Sequence, residues 1–107
     1  WNLSKVQSMY CMFRFARSFN GDISTWDTSK VENMHCMFWL ADSFNSNISA
    51  WDTSQVINMG YMFRQAKSFN QDISSWNVEN VQYGRANMFL GAVSFDQQHH
   101  APRFNME

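Results

Sequence analysis

Two cysteines in 107 residues are too few to staple a small fold with disulfides. One proline and four glycines are too few for a chain dominated by loops. Neither sign of charge prevails. Eight Lys and Arg against nine Asp and Glu leave a formal net charge of −1, which argues against capture of nucleic acid or an anionic membrane by bulk charge. Long apolar runs are missing as well: the longest, 36–41, has six residues, against the roughly 20 that span a bilayer. No basic segment followed by an apolar run opens the chain, so no signal peptide is expected. The absence of an initiator Met reads as a processed chain or an excerpt. What the chain has in quantity is apolar bulk. The AVILMFWYC set makes up 45% and aromatics 17%, enough for a packed core and too much for disorder.

That bulk is periodic. Met-Phe occurs at Met12–Phe13, Met37–Phe38, Met62–Phe63 and Met88–Phe89, and Ser-Phe follows at Phe19, Phe44, Phe69 and Phe95. Trp recurs at Trp1, Trp26, Trp51 and Trp76, and Val at Val6, Val31, Val56 and Val81. A unit of this length cannot bury its own apolar face, but stacked units bury a continuous one. The expectation is one solenoid of about four coils, over 9–33, 34–58, 59–83 and a degenerate 84–98, with a polar, unpacked tail over 99–107. Stacking would pile like residues into a Phe ladder and a Trp ladder, with Met filling the gaps beside them.

Within each unit, Met9, Met12, Phe13 and Ala16 fall at i, i+3, i+4 and i+7, one face of a helix. Ser8, Asn33 and Asn58 precede the apolar series as N-caps. Helices are therefore expected over 9–17, 34–42, 59–67 and 87–93. Alternation around Ile23, Ile48 and Ile73 predicts a short strand in each unit. Ile23 and Trp26 differ in parity, so either the chain bends between them or Trp faces outward. The resulting fold class is an α/β repeat solenoid. Strands pack about 4.8 Å apart and helices about 8–10 Å, so such a stack should arc with its strands on the inner edge.

The segment 62–77, MFRQAKSFNQDISSWN, resembles the 26-residue repeat of bacterial surface proteins, including mycoplasma-type lipoproteins. The shared elements are MF..A.SFN, DIS.W and WDTS.V.NM (26–34), and the resemblance covers roughly 1–96. It implies a leucine-rich-repeat-like solenoid, part of longer arrays on the cell surface or outside it. Similar repeats in unicellular eukaryotes leave an organellar assembly as the alternative setting. The fourth unit decays: Val78 and Glu79 replace Thr-Ser, and DQQHH follows Phe95 in place of DIS.W.

Catalysis has little support. No Ser has a His at a motif spacing, no Gly-rich phosphate loop is present, and paired carboxylates occur only as repeated columns. No cofactor or metal is expected. The columns Asp22/Asn47/Asp72 and Asp27/Asp52/Asn77 could line a Ca²⁺ site, but turn ladders bonded to nearby backbone explain them. The Asn20/Asn45/Asn70 column suits left-handed helix exits. Cys11 and Cys36 are equivalent positions one coil apart: on strands their Cα atoms would lie near 5 Å and a disulfide would fit, whereas the adjacent helices expected here space them too widely and favour two free thiols.

Function should lie in the varying columns. The expected partner-binding residues are Arg14, Phe15, Trp39, Leu40, Arg64 and Leu90, with Trp1 at the uncapped end. An outward Trp flanked by Arg is a hot-spot composition, although Arg over Trp also serves local packing. The chain is expected to be a non-catalytic protein–protein interaction or scaffold module, part of a longer array or an accessory subunit of a larger multisubunit assembly. Its partners would be other proteins, with no nucleic acid and no direct membrane span. The alternative is a surface adhesin that binds protein or glycan on the concave face.

Overall fold

The segments expected to be helices turn too sharply for that. In the computed structural model, which describes residues 3–104, Cys11, Phe15, Cys36, Leu40, Tyr61 and Gln65 have φ between 54° and 63°. A right-handed helix cannot pass through such residues. Cys11 and Phe15 are the third residues of the turns 9–12 and 13–16, where positive φ marks a type II turn. Met12 N accordingly donates to Met9 O at 3.2 Å and Ala16 N to Phe13 O at 3.1 Å.

The intervening N–H groups point out of the turns and into the next unit. Those of Met9, Cys11, Phe13 and Phe15 donate to the carbonyls of Asn33, His35, Met37 and Trp39 at 2.8–2.9 Å. Met34, Cys36, Phe38 and Leu40 repeat the pattern onto Asn58, Gly60, Met62 and Arg64. Each 25-residue unit is thus a flat layer of turns, hydrogen-bonded in register to the one that follows.

The expected α/β repeat solenoid of leucine-rich-repeat type is therefore overturned. Among the described residues the only α-helix is α1, Gln97–His100. Extended pairing among the described residues consists of three isolated parallel bridges, Ser8 with Asn33, Asn33 with Asn58, and Asn58 with Tyr83, and no sheet forms among them. The expected strands around Ile23 and Ile48 are turns as well, with Trp26 N bonded to Ile23 O and Trp51 N to Ile48 O at 3.2 Å. Nor was the shortage of Gly and Pro a bar to a turn-built chain, because side-chain-bearing residues occupy the left-handed positions. With no helical side to hold the layers apart, the predicted arc loses its cause. Like Phe rings stack at 5.4–5.9 Å between layers, and like Trp rings at 6.3–6.5 Å.

The spacing i, i+3, i+4, i+7 misled because successive tight turns also send those positions inward. Met34, Met37, Phe38 and Ala41 are fully buried, as are Met59, Met62, Phe63 and Ala66. Each layer also pairs its two Phe rings face to face at 4.0–4.2 Å: Phe13–Phe19, Phe38–Phe44, Phe63–Phe69 and Phe89–Phe95. The bend at 23–26 resolves the parity conflict, since Ile48 and Trp51 are both buried. Indole N–H groups add a further tie, from Trp51 to Ile23 O at 3.0 Å and from Trp76 to Ile48 O at 3.1 Å.

Polar ladders run alongside. The buried hydroxyls of Thr28 and Thr53 donate to Asp52 O and Asn77 O in the following layer. Asn45 N, Asn70 N and Asp96 N donate to the side-chain oxygens of Asn20, Asn45 and Asn70. The Asn column is thus an interlayer ladder, and Asn20, Asn45 and Asn70 have no positive φ. Of the segment 99–107 read as an unpacked tail, residues 99–104 fold over the fourth layer instead, and 105–107 lie outside the described residues. Asp96 caps α1, His100 O accepts from Ile73 N at 3.0 Å, Pro102 is buried, and Ala101 and Phe104 pack against the core.

Gly84 marks the one-residue insertion that makes the last spacing 26. Its φ is +106°, and a Cβ there would lie 2.4 Å from Gly60 N and 2.5 Å from Met59 C. Both obstacles are backbone and cannot step aside. Gly84→Ala should lower stability by at least about 2 kcal/mol in urea unfolding, through clash and left-handed strain together. Gly91→Ala, whose nearest obstacle is the flexible Gln65 Cγ at 2.9 Å, should cost about 1 kcal/mol. Equal losses would show that backbone approach at Gly84 is not the constraint.

Candidate interaction edge

Positions between the inward ones project outward, and the varying columns therefore gather on one partly exposed edge. Arg14, Trp39 and Arg64 occupy three successive layers, and their side chains interleave. The Arg14 guanidinium lies 4.8 Å from the Trp39 ring and 4.5 Å from Phe15. The Arg64 guanidinium lies 5.0 Å from Trp39 and 5.2 Å from Tyr61. Trp39 is thus held by a cation from the layer on either side, and Phe15 leans on it at 5.5 Å. Its indole N–H reaches Gln65 Oε1 at 3.4 Å.

The layer geometry accounts for the row. A 25-residue step returns the chain to the same place one layer on, so a cation above an aromatic needs only one substitution per column. A guanidinium over a ring face is held by the ring's quadrupole and still has N–H donors to offer to acceptors. The ion pairs among the described residues are Arg17 with Asp42 at 2.8 Å and His99 with Asp96 at 2.9 Å. Neither Arg14 nor Arg64 therefore has a carboxylate partner among the described residues.

Of the expected residues, Phe15 and Leu90 are 47% and 54% exposed, Arg14 is exposed, and Trp39, Leu40 and Arg64 are half-buried. Leu40 shares the left-handed column with Phe15, Gln65 and Gly91, a column set by backbone conformation as much as by side chain. Trp1 lies outside the described residues. Sequence reading missed Tyr61 as part of the row, and placed Gln65 in a varying column without counting it among the binding residues; the two complete the row. Their signal was present: Tyr61 stands in the Cys11/Cys36 column, one turn from Arg64.

Elsewhere the polar groups are structural. Asp22, Asp27, Asp52 and Asp72 each accept the backbone N–H of the Ser two residues on, at 2.9–3.0 Å. The Ser hydroxyls, and then those N–H groups, hold all four carboxyls below their ordinary 3.8. These are the turn ladders expected from the sequence. His35 stacks on Tyr10 at 5.6 Å, and its Nδ1 lies 3.3 Å from Asn58 Oδ1. No group of three His, Cys, Asp or Glu converges among the described residues, and no helix there is long and apolar enough to cross a membrane.

Residues 1–104 match the family model described as Mycoplasma protein of unknown function, DUF285. No curated protein and no solved structure matches the chain.

The lowered carboxyls give stability a sign in pH. A group depressed on folding stabilises above its unfolded value, and that contribution disappears as pH falls through the folded value. The melting temperature should hold between pH 7 and about 5, then drop as pH passes below about 4. Asp27→Asn with Asp72→Asn keeps the turn acceptor, as Asn47 and Asn77 do naturally, and should flatten that drop. An unchanged acid limb in the double variant would show that these carboxyls do not cause it.

Proposed function

The chain belongs to that family, and from this premise we propose that it is a non-catalytic protein-interaction module whose binding edge is the Arg14–Trp39–Arg64 row. The observation that carries the reading is the pair of guanidiniums held within 4.5–5.2 Å of ring centroids on a partly exposed edge, with no carboxylate of the described chain to neutralise them. Rigid aromatics and pre-set Arg side chains lose little conformational freedom on binding, which is why such groups dominate interface energies. Phe15 and Leu90 supply apolar area at either end of the row. The chemistry fits a protein segment that carries carboxylates beside apolar side chains. The likeness of the repeat to surface-protein arrays supports a setting at the cell surface, where the layers would serve as a scaffold for this edge.

A photo-crosslinking residue placed at Leu90 should join the chain to a discrete protein in material from its source, while one at Lys30, outside the row, should not. Arg14→Glu with Arg64→Glu should reduce that adduct by about tenfold or more, the loss of roughly 1.4 kcal/mol or above. Equal labelling from both sites, or adducts made of glycan without peptide, would remove this reading.

A further inference from the structure

We propose that Cys11 and Cys36 form a reversible disulfide that ties the first two layers together beside this edge, with a small-molecule disulfide such as oxidised glutathione as oxidant. The expectation of two distant thiols rested on helices that do not exist. Cys11 N donates to His35 O at 2.9 Å and Phe13 N to Met37 O at 2.8 Å, so Cys11 lies directly beside Cys36 across the layer boundary. Parallel bonded backbones run about 4.8 Å apart, inside the roughly 4.4–6.8 Å that a disulfide spans between Cα atoms. The two residues share nearly the same φ, 55° and 59°, so their side chains leave the backbone in the same direction. Both are free thiols here, Cys11 half-exposed and Cys36 buried.

The two differ in reactivity. Burial first, and then the neighbouring Cys11, pushes the Cys36 thiol up to about 11. Cys11 is therefore the group that meets the oxidant. Its thiolate attacks one sulfur of the small disulfide, forms a mixed disulfide and expels one thiolate. Cys36 then gives its proton to water and attacks the Cys11 sulfur, releasing the second thiolate. Two protein thiols are oxidised and one external disulfide is reduced to two thiols. Arg14 and Arg64 lower the cost of the Cys36 thiolate in that step. Side chains that leave in parallel keep the Cβ atoms wider than the roughly 3.8 Å a relaxed disulfide prefers, and a bond closed against that geometry is easily reduced. Tyr61 holds the column in the third layer, so the tie is confined to the first two.

The full chain, equilibrated with oxidised and reduced glutathione in varied ratio, alkylated and weighed, tests this. Glutathione suits better than peroxide, which would also attack Met12, 41% exposed. The expected product is lighter by the two thiol hydrogens, takes no alkyl group, and unfolds at higher urea than the reduced form. It should revert when the ratio is reversed. Cys36→Ala should stop at glutathione on Cys11, and Cys11→Ala should leave Cys36 unmodified, circular dichroism confirming that each is folded. Wild-type protein that keeps glutathione on Cys11 without closing, or that bonds only between chains, would overturn the proposal whether or not the variants fold.

Discussion

The structure depends on where alternate backbone N–H groups go. In each Met-x-x-Met-Phe-x-x-Ala segment, one set closes tight turns and the other reaches the next layer. That division requires left-handed φ at two side-chain-bearing residues per layer, a cost of about 1–2 kcal/mol each. The interlayer bonds and stacked rings offset it. A helix would satisfy the same N–H groups locally and leave nothing to join one unit to the next. The left-handed residues are therefore the condition for stacking, and the aromatic columns follow from it.

The Thr hydroxyls and the outward N–H groups of the turn segments donate to the following layer, so the sequence changes where that layer offers different partners. Thr28 and Thr53 donate to carbonyls in the layer beyond. Val78 takes the third place in that column, buried at 7% exposure. It keeps the shape of Thr without a hydroxyl to satisfy. At the insertion, Asn87 Oδ1 receives Tyr61 N at 3.2 Å, standing in for the backbone carbonyl that earlier layers offer. What looked like decay of the fourth unit is in part a change of partners at the insertion.

The positions between the inward ones are free of these demands, which is why chemistry collects there. Any residue in those columns stands about one layer from its equivalents, so cations, rings and thiols meet without needing a pocket. Trp39 between two guanidiniums and Cys11 beside Cys36 are the same geometric event, a substitution made next to its own copy. Around Trp39 the packing itself sets the ring between cations from the layers on either side.

The sequence alone determined the period, the identity of the inward residues and the columns in which they lie, because burial of like side chains leaves its mark every 25 positions. It also pointed to Arg14, Trp39 and Arg64 as an outward row. It could not reveal the backbone that joins them. Consecutive tight turns and a helix share the spacing of apolar residues. The choice between them rests on whether an N–H bonds within its own unit or with a residue 24 positions on. Only the assembled stack supplies that second acceptor, and so only tertiary structure decided against helices, bent the chain between Ile23 and Trp26, folded 99–104 over the fourth layer and set the two thiols side by side.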